Sequence, residues 1–549
     1  MKAALNKIIK ADNYTKFYWF AITFLILIGS FIFYVVGNDA YDVFFILRTG
    51  RDILETGKIP NVNEYVINGN NFVVQQWLYA VIVAFITNIF EHQQLGLYLF
   101  FTLEAILCIF LYMKFRGLYT KRSYFDILFV AVFVFNTFYL NLRPELITID
   151  ILLFEMYSLS KYTLTHKKRW LVGLPISMLL MVNLHAMMWS AVYAILLAYV
   201  VPSVLPKRYP TNHLKINVPV FVSIIVSFGC IFINPYTYQV ISMVYTGMHI
   251  SGIYSSYITE LITYPHLFKI IDSNNVFLFS YMTIIYVIEF ILLLISFYKR
   301  GKGMIKSTTL YLCLGFTVLS FMHIRNIMFI TLAFVALFTD CAVYFKEELL
   351  ASDSAKAVCN KSVDQMCRYK NLYILLIAIL FTISCFMYRT LYTYYDYVDC
   401  VQTSYTEGFN KILNDPDYDP DRAKLISFNY ASYCEYIGMK NLHSDVRMEY
   451  SDKSEHNMME YVIFRLNLFG QEAYSAKFVD KDIWNNTSYV DMQDFVDYYD
   501  FQYVVFDSAS EGKNIAFFEE NIDGYELFYF DEECLNYKEM YPVIFKRID

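Results

Sequence analysis

The sequence predicts a polytopic α-helical membrane protein of about eleven spans followed by a C-terminal extracytoplasmic α/β domain. Three observations carry that prediction. The 549 residues are 57% hydrophobic, 19% aromatic and only 17% charged, with a mean hydropathy of +0.38. Apolar runs of bilayer-crossing length recur up to residue 392. The net charge of −7 is divided unevenly, +11 over residues 1–392 and −18 over 393–549. Such a division marks two domains in different environments, a membrane region at 1–392 and an acidic soluble domain at 393–549. The acidic tail argues against nucleic acid as a partner.

The first apolar run, 17–37, lacks a small-residue cleavage site and exceeds the length of a signal-peptide core, so it reads as a retained helix. Further spans read at 95–113, 124–141, 144–160, 170–183, 185–204, 216–234, 277–298, 308–322, 325–345 and 371–392. Residues 75–90 form one more apolar stretch, short and opened by Gln75 and Gln76. The positive-inside rule decides its status. Lys2, Lys7, Lys10 and Lys16 place the N-terminus in the cytoplasm. If 75–90 lies in the interface, the basic clusters at 114–122, 167–169, 207–215, 299–306 and 346–370 all fall inside. If it crosses, all fall outside. The reading is therefore an integral plasma-membrane protein whose tail lies outside the cytoplasm.

That parity sends a set of polar helix ends to the outer face: Asp39 and Asp42; Arg143 and Glu145; Asn183 and His185; Asn234 and Tyr236; His323, Arg325 and Asn326. A carboxylate at the surface where a lipid-borne substrate presents its head group suits a general base acting on a hydroxyl. Charge near lipid must be paired. A phosphate fits the guanidinium forks of Arg143 and Arg325, and Glu145 is the competing protein partner.

The first outer loop spans 38–94. Within it 42–57 reads as an amphipathic helix, with Val43, Phe44, Ile46, Leu47, Ile53 and Leu54 toward lipid and Arg48, Arg51, Asp52 and Glu55 toward water. Gly57 and Pro60 end it. With the 75–90 helix led by Trp77, it suggests a platform for a lipid-linked substrate. The acids Glu104, Asp150, Glu155, Glu289 and Asp340 fall in or near spans and face the bundle interior, as hydrogen-bonded structure or as the ion relay of a transporter. They lack the repeat-related spacing of transporters.

The tail alternates strand-like runs at 424–428, 503–506, 525–530 and 543–545 with helical segments near 430–438, 457–468 and 512–522, a small α/β domain. Its cysteines, Cys400, Cys434 and Cys534, are odd in number and form no complete disulfide framework. The run from Asp415 to Asp421 resembles a calcium loop but has Pro420 where the turn needs Gly, so it reads as a solvated linker. Asn485 and Asn486 each open an acceptor sequon.

Several short motifs then fall into one pattern. Asp42 precedes the aromatic pair Phe44-Phe45, and Leu47-Arg48-Thr49-Gly50, Ile53-Leu54, Gly57, Ile59-Pro60 and Tyr65 follow. Trp77-Leu78, Arg143-Pro144-Glu145, Asn183-Leu184-His185 and Arg325 come later, and the tail adds Tyr436-Ile437-Gly438 and Ser444-Asp445-Val446-Arg447. Together these resemble the integral-membrane glycosyltransferases of the GT-C superfamily, in particular a bacterial branch that uses polyprenyl-phosphate sugars. Ile46 stands where a histidine commonly follows the aromatic pair in that branch.

The resemblance implies an inverting transferase. Asp42 or Asp39 is the base, and Arg143, His185 and Arg325 hold donor phosphate or acceptor. Arg48, Glu145, Asn183, His323, Asn326 and Arg447 complete the expected substrate contacts. The implied partners are a polyprenyl-phosphate sugar donor, a glycan, lipid or protein acceptor, and membrane lipids. The displacement needs no metal, although some relatives use a divalent ion. The alternatives are a transporter or flippase of a lipid-linked glycan and a non-catalytic assembly protein that kept the fold.

Overall fold

The computed structural model describes residues 42–67, 73–90, 93–120, 123–137, 143–205, 214–242, 263–269, 276–351, 406–443, 491–531 and 541–548, with a few isolated positions besides. Asp39, Arg447, the 371–392 span, Asn485 and Asn486 lie outside the described residues, and the 17–37 span is described at only four positions.

The helices run α1 (Asp42–Thr56), α2 (Trp77–Asn88), α3 (Gln93–Arg116), α4 (Tyr124–Thr137), α5 (Glu145–Thr165), α6 (Gly173–Leu184), α7 (Trp189–Val204), α8 (Val218–Cys230), α9 (Tyr264–Lys269), α10 (Val276–Arg300), α11 (Thr308–Met322) and α12 (Ile330–Ala351). The tail adds β1 (Lys424–Ile426), α13 (Phe428–Tyr436), α14 (Met492–Tyr499), β2 (Tyr503–Asp507), α15 (Ser508–Asn521), β3 (Tyr525–Tyr529) and β4 (Pro542–Arg547). The chain divides into two compact units, one of Met1–Ala40 with Gln75–Ile377 and one of Tyr41–Val74 with Ala378–Asp549.

The first unit is a helical bundle. Among the described residues, Ala186–Val204, Phe279–Lys306 and Ile324–Phe345 are long and apolar enough to cross a membrane. The Ile324–Phe345 segment is 89% buried, against 39% and 33% for the other two, so it forms the centre of the unit. The outer helices carry exposed apolar stripes at helical spacing: Leu103, Ile106, Leu107 and Phe110 on α3; Phe221, Ile225 and Phe228 on α8; Ile284, Val287, Phe290 and Leu294 on α10. Water would penalise such faces by about 25 cal/mol per Å², whereas hydrocarbon accepts them. Helix α2 has only 12 residues, about 18 Å of rise, which is shorter than a hydrocarbon core. It buries Tyr79, Ala80, Val83, Ala84 and Thr87 within the bundle.

Polar groups inside the bundle are mostly paired, as a low-dielectric interior demands. Asp126 accepts from Arg116 Nη2 at 2.6 Å, from Arg116 Nε at 2.9 Å and from Tyr112 at 3.0 Å. Asn136 on α4 donates to Thr331 on α12 at 2.8 Å and accepts from Tyr281 on α10 at 2.6 Å. These bonds fix helix register where apolar packing alone would allow sliding.

The second unit is built on a four-stranded sheet in the order β1-β2-β4-β3. β1 pairs parallel with β2, while β4 pairs antiparallel with both β2 and β3. All five residues of β2 are buried, as expected of a central strand covered on both faces. Phe409, Ile412, Ile426, Tyr430, Met439, Tyr503 and Ile544 lie in its core.

The loop after the first span is part of this unit. Ile67 N donates to Leu442 O at 2.8 Å and Leu442 N donates to Tyr65 O at 2.8 Å, so the 65–67 segment lies as a short parallel neighbour beside Leu442. Most of the α1 face expected to meet lipid is covered by protein, while Leu54 at its end stays exposed. Val43, Phe45, Ile46, Leu47 and Ile53 are buried, and Phe44 packs on Tyr433 and Tyr436 of α13 with centroids 5.2 and 5.3 Å apart. The sequence marks the face as apolar but does not say which apolar partner covers it. Ile46 is 2% exposed, a packing position.

The acidic Asp415–Asp421 loop is organised by two lysines. Lys424 Nζ donates to the carbonyls of Asp419, Pro420 and Arg422 at 2.7, 3.1 and 2.7 Å. Lys546 Nζ meets Asp415 at 2.8 Å and Asp417 at 2.7 Å.

Candidate functional site

The first unit gathers four of the expected residues at adjoining helix ends. Glu145 opens α5, directly after Pro144, whose fixed φ suits a helix entry. His185 follows the last residue of α6, and Arg325 lies in a short 3₁₀ turn, Ile324–Phe329, between α11 and α12. Arg325 Nη2 donates to Glu145 Oε1 at 3.1 Å. Glu145 is also within electrostatic reach of His185 and Arg143. Its side chain is 5% exposed while that of Arg325 is 37% exposed. The carboxylate is therefore the buried anchor, and the arginine keeps an open flank. Among the described residues this is the one hydrogen bond that the Arg325 side chain makes, through one of its five guanidinium N–H donors.

The hydrogen bonds around His185 set its tautomer. Thr148 Oγ1 donates to Pro144 O at 2.9 Å and lies 2.7 Å from His185 Nδ1. Having given its only proton to the carbonyl, the hydroxyl accepts from Nδ1–H, which leaves the Nε2 lone pair for a donor or proton. Thr148 was not expected from the sequence. One hydroxyl in an apolar helix is usually bonded to the preceding turn, and only the fold brings it to the imidazole. Tyr79 adds a second unexpected support by donating to Arg143 O at 3.2 Å.

Asn183, His323 and Asn326 are held differently. Asn183 accepts from the Trp77 indole at 3.1 Å and donates to Leu179 O at 2.8 Å and Ile233 O at 2.9 Å. It ties α2 and α6 to the turn after α8. His323 caps α11 through its backbone N–H to Leu319 O at 3.3 Å, and Asn326 Nδ2 donates to the same carbonyl at 3.3 Å.

The second unit holds the other half of the motif set. Asp42 is the first residue of α1. Arg48 Nε donates to Tyr65 Oη at 2.8 Å and lies 3.0 Å from Asp52, while Tyr65 Oη donates to Asp52 at 2.7 Å. Burial, followed by the bond to Asp52, holds the Tyr65 phenol well above its ordinary range, so it remains a neutral hydroxyl. The Leu47–Gly50 motif and Tyr65 are thus one hydrogen-bonded unit. Asn63 donates to the buried Asp445 at 3.0 Å, linking the loop motif to the tail motif. Gly438, at φ +88°, occupies a conformation that side chains resist, and a Cβ there would stand 3.8 Å from Arg48 Nη1.

Among the described residues no group of three or more His, Cys, Asp or Glu side chains is gathered to hold a metal ion.

No protein-family model matches the chain, and no curated protein matches it significantly. Two solved structures to which the chain is similar are both archaeal. One is the oligosaccharyltransferase of Archaeoglobus fulgidus in the apo form, at 11% identity and a TM-score of 0.45, over 90% of this chain and 70% of that one. The other is the archaeal oligosaccharyltransferase AglB from Archaeoglobus fulgidus in complex with an inhibitory peptide and a dolichol-phosphate, with the same identity, TM-score and coverage.

Proposed function

We propose that the chain is a membrane glycosyltransferase of the GT-C kind that transfers a sugar from a polyprenyl-phosphate donor to an acceptor at the extracytoplasmic face. The observation that carries this reading is the half-open Arg325 anchored by buried Glu145 beside His185 and Arg143. A cation fixed in place and still accessible suits a departing phosphate, because it stabilises charge that develops as the bond breaks. The eleven-span topology with its tail outside belongs to the same reading. It rests on the distribution of Lys and Arg among the loops.

The chemistry is a displacement at the anomeric carbon. Asp42 takes the proton of the acceptor hydroxyl, whose oxygen bonds to carbon. The carbon–oxygen bond to phosphate breaks, and its electron pair leaves with the polyprenyl phosphate, inverting the centre. Asp39 is the second carboxylate. In this reading Arg143, Arg325 and His185 hold donor phosphate or acceptor, and Arg48 and Arg447 are further substrate contacts. In proteoliposomes supplied with a labelled polyprenyl-phosphate sugar, Arg325→Gln lowers transfer by about 10²-fold, the scale of losing one charge-stabilising donor. Unchanged transfer in this variant, with intact protein, contradicts the reading.

A second reading has its own support. The carboxylates of Glu104 and Glu155 are buried and accept no hydrogen bond among the described residues. Acids of this kind mark proton or ion pathways in membrane transporters. For a lipid-linked glycan flippase, Glu104→Gln with Glu155→Gln stops lipid translocation in vesicles. For the transferase it leaves sugar transfer standing.

A further inference from the structure

The bundle contains a second polar centre that the transfer chemistry does not use. A cavity of about 270 Å³ is lined by Arg300, Lys306, Asp340, Thr308, Ser160 and Tyr199 among others. It lies at the other end of the helices that carry the Glu145 cluster. Glu145 opens α5 and Ser160 lies near its close; His185 precedes α7 and Tyr199 lies late in it; Thr308 opens α11 and Arg325 follows its end. Eighteen residues of α5 separate Glu145 from Thr163, another lining residue, a rise of about 27 Å, close to the thickness of a hydrocarbon core.

Among the described residues, the cavity wall carries two cations, Arg300 and Lys306, beside the one carboxylate Asp340. Arg300 Nη1 donates to Ser307 Oγ at 2.6 Å and Nη2 pairs with Asp340, which also accepts from Thr309 at 3.0 Å. Arg300 Nε is buried and has no hydrogen-bond partner among the described residues. Ser307 Oγ accepts from Arg300 and from Thr309 N, so its own proton is free to point elsewhere. Lys306, 4% exposed, brings a second cation to the same wall. The first turn of the 15-residue α11 opens here too, adding the positive end of its dipole. A buried guanidinium N–H without an acceptor is costly, and a ligand oxygen would satisfy it.

We propose that this cavity binds a phosphate group at the membrane face opposite the Glu145 cluster. The phosphate comes either from an anionic phospholipid headgroup or from a soluble phosphate. The volume suits one such group with a small substituent rather than a whole sugar-lipid.

The test uses the full chain in nanodiscs. Binding of inorganic phosphate is followed in phosphatidylcholine discs by thermal unfolding, and retention of phosphatidylglycerol from mixed discs by native mass spectrometry. A soluble source gives a rise in the unfolding midpoint with phosphate. A headgroup source gives one retained phosphatidylglycerol and no response to phosphate. Either response falls at least tenfold in Lys306→Gln and severalfold in Thr308→Val, and it persists in Arg325→Gln. Thr308→Val removes only a hydroxyl and keeps the test open if Lys306→Gln does not fold. No response to phosphate or phosphatidylglycerol in the parent protein overturns the proposal. So does a response that Thr308→Val leaves unchanged.

Discussion

Lys424 shows how a single residue can set a loop. Its ammonium is fully buried, donates to three backbone carbonyls and lies 4.8 Å from the centre of the Tyr418 ring. Lys424→Met keeps the apolar stem and leaves those carbonyls without the donor. It should destabilise the second unit by about 1–3 kcal/mol, read as lost hydrogen-exchange protection at Leu425 and Val504 in the full chain. Asp415 adds a pH dependence. Burial alone would raise its pKa, but bonds from Lys546, Tyr503 and the Asp417 amide outweigh it and hold the carboxyl below its ordinary 3.8. Its contribution to stability is therefore present above pH 3.8 and is lost as pH falls through the lower folded value. Exchange protection around Tyr503 should fall on acidification below pH 3.8, and less steeply in Asp415→Asn.

At the scale of elements, helix ends carry the account. Gly57 closes α1 at φ +66° with its N–H bonded to Ile53 O at 2.9 Å. A Cβ there would meet open space, so Gly57→Ala tests conformation alone. It should cost about 1 kcal/mol, measured as a lower unfolding midpoint. Gly438→Ala carries the same strain, while its added methyl would rest in ordinary contact 3.8 Å from Arg48 Nη1, so the Arg48–Tyr65 bond should be kept. These ends were legible in the sequence: Gly57, Pro60 and the apolar spacing of 42–57 mark a helix, and four strands form within a few residues of their expected ranges. The cover of α1 was not legible. Phe44 meets Tyr433 nearly 400 residues later, and no local pattern distinguishes an apolar face bound for lipid from one bound for another helix.

For the whole molecule, the exposed stripes on α3, α8 and α10 and the central burial of Ile324–Phe345 follow from the hydropathy pattern. The candidate site was legible only in part. Arg143, Glu145, His185 and Arg325 are polar residues at the ends of apolar runs, which is why the sequence singles them out, and the bundle brings them together. Asn183 has the same sequence appearance, yet its amide is engaged in bracing Trp77, Leu179 and Ile233. Thr148 looks ordinary but orients the imidazole. Polarity at a helix end locates a surface; only packing assigns each group to a ligand or to its neighbours.

The most direct test of the proposed function is sugar transfer in proteoliposomes holding the full chain, a labelled polyprenyl-phosphate sugar and an acceptor extract, with the parent protein beside Asp42→Asn. The account predicts label in the acceptor with the parent protein and a loss of at least about 10²-fold in Asp42→Asn, the scale of removing a general base. Both proteins should show the same unfolding midpoint. Equal transfer by the two would contradict it.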